Sequence, residues 1–106
     1  MVNEHAASAS EMVAAFAAEN RFAPLVGTKT PGRLTGANSF KVGYGYRVAL
    51  PVVQYRTWKE TVLEGSGVDV NIHEPLSLDE LWRGNDNQLA AAARAALASA
   101  LFKSFV

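Results

Sequence analysis

Cysteine is absent from the 106 residues. That excludes a disulfide framework, a thiolate zinc site and a thiol nucleophile, and leaves the redox compartment open. Net charge is absent as well: ten acidic and ten basic residues cancel. The basic residues are scattered, not gathered into the stripe that nucleic acid requires, so no nucleic-acid partner is expected. No run approaches the roughly 18 apolar residues of a membrane span, and residues 1–20 carry acidic groups where a signal peptide has a basic start. Histidine is limited to His5 and His73. Neither has partners at ligand spacing, and His73-Glu74 cannot share a strand face, so both read as surface residues and no metal or cofactor is expected. What is present is a hydrophobic fraction of 49%. At this length one domain can form, burying roughly 60–70% of the surface of the unfolded chain.

The first periodic segment runs from Ser8 to Asn20, where Met12, Val13, Phe16 and Ala17 recur at helical spacing. Ser8-Ala9-Ser10-Glu11 reads as a capping box, with the Ser8 hydroxyl on a backbone N–H and Glu11 reaching back. Phe22 to Val26 reads as a short strand with Pro24 at an end or edge, and Gly27 to Gly36 as a loop. From Ser39 to Leu50 the period is two, giving one long strand, or two with a bulge at Gly43 and Gly45, broken by Pro51. Val53 to Trp58 and Thr61 to Leu63 read as a hairpin around Lys59-Glu60, and Val68, Val70 and Ile72 as a last strand. A helical segment opens at Pro75-Leu76-Ser77, with Ser77-Leu78-Asp79-Glu80 a second possible capping box, and stops at Gly84. The final helix starts at Asn85 or Asp86, its expected apolar stripe being Leu89, Ala93, Ala96, Leu97, Ala100 and Leu101. The end, Leu101 to Val106, is apolar enough to pack on something or form a sticky patch.

Chemistry is sparse. Gly27-Thr28-Lys29-Thr30-Pro31-Gly32 has the outer spacing of a phosphate-binding loop, but Arg33 and Leu34 stand where lysine and a hydroxyl residue are needed. A nucleotide is therefore not expected. Ser8 is first of all a helix cap. A serine there also sits where backbone N–H groups and the positive end of the helix dipole converge, which can stabilise an oxyanion. As a nucleophile it would still need a general base. His5, His73, Lys29, Lys41 and several carboxylates are available, and no spacing selects among them. Glu64, between an apolar strand and Gly65-Ser66-Gly67, reads locally as a solvated turn residue.

Three blocks together resemble the C-terminal part of the catalytic domain of the C-terminal-processing (tail-specific) serine peptidases, nearest the tricorn-core-like branch. Asn3 to Glu11 is similar to the nucleophile block, and Val26 to Arg33 to the strand and loop after the nucleophile helix. Gly43 to Pro51, Thr57-Trp58 and Leu63 to Val68 are similar to the hairpin region that follows. The resemblance implies an α/β unit of the ClpP/crotonase-like kind, present in part: a helix, about five strands and two C-terminal helices. Residues 1–106 would be one unit whose open edge and apolar face are completed by self-association into a homo-oligomer.

Carried over residue by residue, the resemblance places Ser8 on the nucleophile, the Ala9 backbone N–H on one oxyanion donor, and Glu64 on an acidic residue that orients active-site groups. The lysine base of the serine–lysine branch falls at Arg33, and arginine, with a pKa above about 12, cannot act as a base near neutral pH. In the tricorn-like arrangement the histidine belongs to a segment upstream of the nucleophile, and His5 is a poor substitute. Val70-Asn71 replaces a proline–aspartate pair of the family, and Lys59-Glu60 a glycine-containing turn. The implied function is a fragment or short form of a serine endopeptidase, with a polypeptide substrate and little or no activity alone. The alternative is a non-catalytic module whose open sheet edge pairs with a peptide or another protein.

Overall fold

The computed structural model describes the backbone of residues 1–103 and the side chains of residues 1–100. In chain order the elements are α1 (Ala9–Glu19), β1 (Val26–Gly27), β2 (Gly36–Gly43), β3 (Tyr46–Val53), β4 (Ile72–His73), α2 (Leu78–Trp82) and α3 (Asn87–Lys103). β1 pairs in parallel with β4, Val26 against Ile72 and Gly27 against His73. Val2 makes a parallel bridge to Gly27 from the other side, through Val2 N–H to the Val26 carbonyl at 2.9 Å and Thr28 N–H to the Val2 carbonyl at 3.1 Å. The result is a narrow parallel patch with a helix after its first strand, which is the local logic of an α/β unit.

The core is small and lies between α1 and the loops. Ala14, Ala15, Leu25, Leu34, Leu63 and Val68 are buried together, with Met12, Ala18, Tyr55 and Val70 packed against them. α1 therefore turns its Glu11, Ala14, Ala15 face inward, while Val13 and Phe16 of the expected stripe are 68% and 56% exposed. α3 departs in the same way. It packs on β1, with Ala91 4% exposed, while Leu89 and Leu97 of its expected stripe are 56% and 67% exposed. In both helices small alanines allow close approach to backbone, so the larger apolar side chains are left on the outer face. The Leu101 position of that stripe and the apolar end lie outside the described side chains.

β2 and β3 form an antiparallel hairpin that stands away from the core, with nearly every residue exposed. Its turn is Tyr44-Gly45, both at positive φ (48° and 80°), the conformation that matches the twist of a two-residue hairpin. The two-strand reading of residues 39–50 is thus the correct one: the Tyr44-Gly45 turn joins the strands, and a register irregularity lies beside it between Lys41 and Gly43. Pro51 does not end the strand. It lies within β3 opposite Ala37, beside a register shift, where a two-stranded ribbon tolerates a missing N–H. Other expected strands are much shorter: Phe22 to Leu25 is not strand, the Lys59-Glu60 hairpin is a single Arg56–Val62 bridge, and residues 68–71 are irregular. Two short sheets replace the five or so strands expected.

The C-terminal boundaries follow local rules. The Ser77 hydroxyl accepts the Glu80 N–H at 3.4 Å to cap α2, and Gly84 at φ 84° stops it. The Asp86 carboxylate accepts the Leu89 N–H at 2.9 Å and caps α3.

Candidate active site

Chain order at the site is strand, tight turn, serine, helix. After Val2 a turn over Asn3–Ala6 closes through Ala6 N–H to the Asn3 carbonyl at 3.0 Å. It is tied to the end of β1 by the Thr28 hydroxyl, which donates to Glu4 Oε2 at 2.6 Å. Ser8 then begins α1 with φ 57° and ψ −121°. For a residue with a Cβ this backbone costs about 1–3 kcal/mol and persists only where its surroundings hold it. What holds it is visible. The Ser8 N–H donates to the Arg33 carbonyl at 2.9 Å and to Glu11 Oε2 at 3.2 Å.

The expected capping box is present on both sides, the Ser8 side chain toward the Glu11 N–H and the Glu11 carboxylate on the Ser8 N–H. The Glu11 N–H also donates to the Ser8 carbonyl at 2.9 Å, and the contact with the hydroxyl falls short of a full hydrogen bond. Ser8 is exposed. The next N–H, of Ala9, has no hydrogen-bond partner among the described residues. Ser8 is thus an exposed residue on a strained turn into α1, beside the Ala9 N–H at the positive end of that helix.

Two carboxylates grip the loop that faces this turn. Glu11 is fully buried. Burial pushes its carboxyl up, and hydrogen bonds from Thr30, Arg33, Gly32 and Ser8 outweigh burial and hold it below the ordinary glutamate value. Local sequence announced only its capping role. Glu64, exposed, accepts the N–H groups of Leu34 and Thr35, each at 2.6 Å. The Thr35 side chain and the Leu34 N–H lower its carboxyl pKa. Successive backbone N–H groups from Gly32 to Thr35 are therefore shared between two glutamates.

The loop with phosphate-loop spacing does cradle an anion, and the anion is the chain's own Glu11. Gly32 adopts φ 74°, and a Cβ there would lie 2.5 Å from the Gly67 nitrogen and 2.6 Å from the Leu63 carbonyl oxygen. The 63–68 turn is laced to it by Gly65 N–H to the Gly32 carbonyl at 2.8 Å and Thr30 N–H to the Val68 carbonyl at 3.1 Å. Ser8 and Glu64 thus meet the same loop from two sides without touching each other. Arg33 lies between them. Its backbone bonds to Ser8 and Glu11, while its side chain is exposed and has no salt-bridge partner among the described residues. His5 is exposed in the turn before Ser8, 3.7 Å from Glu4 and without a hydrogen bond to Ser8. His73 is exposed on β4.

No curated protein matches the chain. A protein-family model, Peptidase family S41, matches residues 1–74, a span that includes the Ser8 turn, the loop through Arg33, and Glu64. The match covers more than half of the 106 residues, and the chain belongs to peptidase family S41.

Proposed function

We propose that the chain is a fragment or short form of a serine endopeptidase of the C-terminal-processing, tail-specific kind, nearest the tricorn-core-like branch. The observation that carries the reading is the Ser8 turn: φ 57° and ψ −121° at an exposed serine, with an Ala9 N–H beside it that has no partner among the described residues. In the ancestral reaction the Ser8 oxygen attacks a peptide carbonyl of a polypeptide substrate, with its proton passing to a general base. The carbonyl oxygen becomes an oxyanion facing the Ala9 N–H. The amine then leaves with a proton, and water hydrolyses the acyl-serine. Glu64 keeps the 34–35 segment in place behind Arg33 and so acts as an orienting group.

The base is the weak point. Arg33 occupies the position of the family's lysine, and neither His5 nor His73 hydrogen-bonds Ser8. The chain alone therefore has little or no peptidase activity. Fluorophosphonate treatment at neutral pH tests this. The expected result is no adduct on Ser8, and an adduct abolished by Ser8→Ala would contradict it.

The same reading treats the described elements as part of a ClpP/crotonase-like unit whose open faces are covered by a second copy. The accessible surface is 7937 Å², against about 5,800 Å² for a compact monomer of this mass. The surplus, about 2,000 Å², is ample for a stable interface. The Cα radius of gyration is 17.9 Å, against about 13 Å for a compact chain of this length. Light scattering at micromolar concentration is expected to give an oligomer, and a compact monomer would overturn this part. The hairpin supports a second reading, a non-catalytic interaction module. Its apolar Phe40, Val48 and Leu50 are 43%, 39% and 47% exposed on a ribbon with open edges.

A further inference from the structure

The chain contains the same four-residue pattern twice, Ser-x-x-Glu at the start of a helix, and the two copies adopt different structures. At α2, Ser77 has the extended backbone of an ordinary cap, φ −91° and ψ 108°, and its hydroxyl accepts the Glu80 N–H. At α1, Ser8 has φ 57° and ψ −121°, and its hydroxyl faces the Glu11 N–H without a full cap hydrogen bond. The serines are alike, so the cause lies in what the glutamates meet. Glu80 is exposed. Glu11 is 0% exposed and receives four donors: Thr30 Oγ1 at 2.5 Å and Gly32 N–H at 2.7 Å on Oε1, Arg33 N–H at 2.8 Å and Ser8 N–H at 3.2 Å on Oε2.

An ionised carboxylate is retained in a buried place only where its lone pairs are met. Here that requirement fixes the position of Ser8. The Glu11 Oε2 atom bridges Ser8 and Arg33, which are also joined by the Ser8 N–H to Arg33 carbonyl bond. This closed ring ties the serine turn to the 30–33 loop. A relaxation of Ser8 to the conformation of Ser77 would swing its N–H away from both acceptors.

The geometry points to Glu11 as the positioning residue of Ser8: its buried carboxylate holds the serine in the strained backbone from which α1 starts, beside the Ala9 N–H. This deepens, and rests on, the reading of Ser8 as a nucleophile. Glu11 touches no substrate in this account and acts only through Ser8.

The test is the backbone conformation of Ser8 in Glu11→Gln, read by NMR couplings and chemical shifts. A glutamine must turn its amide donors toward two of the four donors, so one oxygen's bonds are lost. The expected result is that Ser8 φ becomes negative, as at Ser77, while Thr30→Val keeps φ positive. Thr30→Val removes a donor on Oε1 and a bond to the Val68 N–H, so it weakens the fold without touching Oε2. A positive φ in folded Glu11→Gln, or its loss in Thr30→Val as well, would overturn the assignment. Should Glu11→Gln fail to fold, Ser8→Gly/Glu11→Gln decides, because glycine needs no holding at positive φ. A folded double variant supports the assignment and an unfolded one overturns it. All of these readouts are independent of Ser8 reactivity, so a failure here is separate from a failure of the peptidase reading.

Discussion

The Ser8 N–H and the Arg33 carbonyl oxygen lie 2.9 Å apart, so the two positions that resemble the nucleophile and the lysine base of the family are joined through their backbones. The identity of side chain 33 can therefore change without disturbing the serine turn. An arginine at this position cannot itself act as a base, because its guanidinium stays protonated.

Arg33→Lys is accordingly expected to leave stability within about 0.5 kcal/mol of the parent, since the exposed side chain has no partner to lose. It places an amine that can lose its proton on the residue whose backbone is bonded to Ser8. Fluorophosphonate labelling of Ser8 in this variant is expected to exceed that of the parent and to rise with pH toward about 10, the ordinary lysine range. Equal labelling at every pH would mean that residue 33 does not reach the serine.

Gly32→Ala is expected to destabilise the fold by 2 kcal/mol or more, about the level of a severe single substitution. A Cβ at φ 74° would press on the Gly67 nitrogen and the Leu63 carbonyl, both backbone atoms, at 2.5 and 2.6 Å. Gly45→Ala, at a hairpin turn with open space around it, is expected to cost less. Urea denaturation of the two variants checks the order.

Stability is expected to fall on acidification. Burial raises the Glu11 carboxyl, and its four hydrogen bonds lower it by more, leaving it below 4.5, the ordinary value. Glu64 is lowered by the Thr35 side chain and the Leu34 N–H. A group whose folded-state pKa is depressed contributes stability that is complete above its unfolded value and is lost as pH falls through the folded value. The urea midpoint should be flat from neutral pH to about 5 and decline below it. Glu11 should carry most of the decline, because Glu64 is solvent-screened. A midpoint constant down to about pH 3 would mean that the Glu11 carboxylate is not what ties α1 to the loop.

Much of this was legible in the sequence wherever a single residue decides the backbone. Ser77 and Gly84 mark the ends of α2, the glycines near Tyr44 mark the hairpin, and Ser8 marks the start of α1. The burying faces were not legible. Periodicity directed Val13, Phe16, Leu89 and Leu97 inward, whereas the described contacts are made by Ala14, Ala15 and Ala91. An apolar residue turns inward only when something exists to cover it, and the buried cluster here is small. Glu11 was legible as a cap but not as the hub of the loop, because its partners Thr30, Gly32 and Arg33 are about twenty residues away. A Thr-Pro-Gly turn that aims the consecutive Gly32 and Arg33 N–H groups at one anion was the available signal, and its spacing is shared with loops that hold phosphate.

The central claim is that Ser8 is a nucleophile position whose scaffold is intact and whose base is missing. Chemical rescue tests it most directly: fluorophosphonate labelling followed by peptide mass spectrometry, with and without added imidazole. The account predicts no Ser8 adduct without imidazole, a Ser8 adduct with it that increases as imidazole becomes neutral, at about pH 7, and none in Ser8→Ala. A Ser8 adduct without added base would mean that the chain supplies one. No adduct at any imidazole concentration would mean that Ser8 is only a strained helix start.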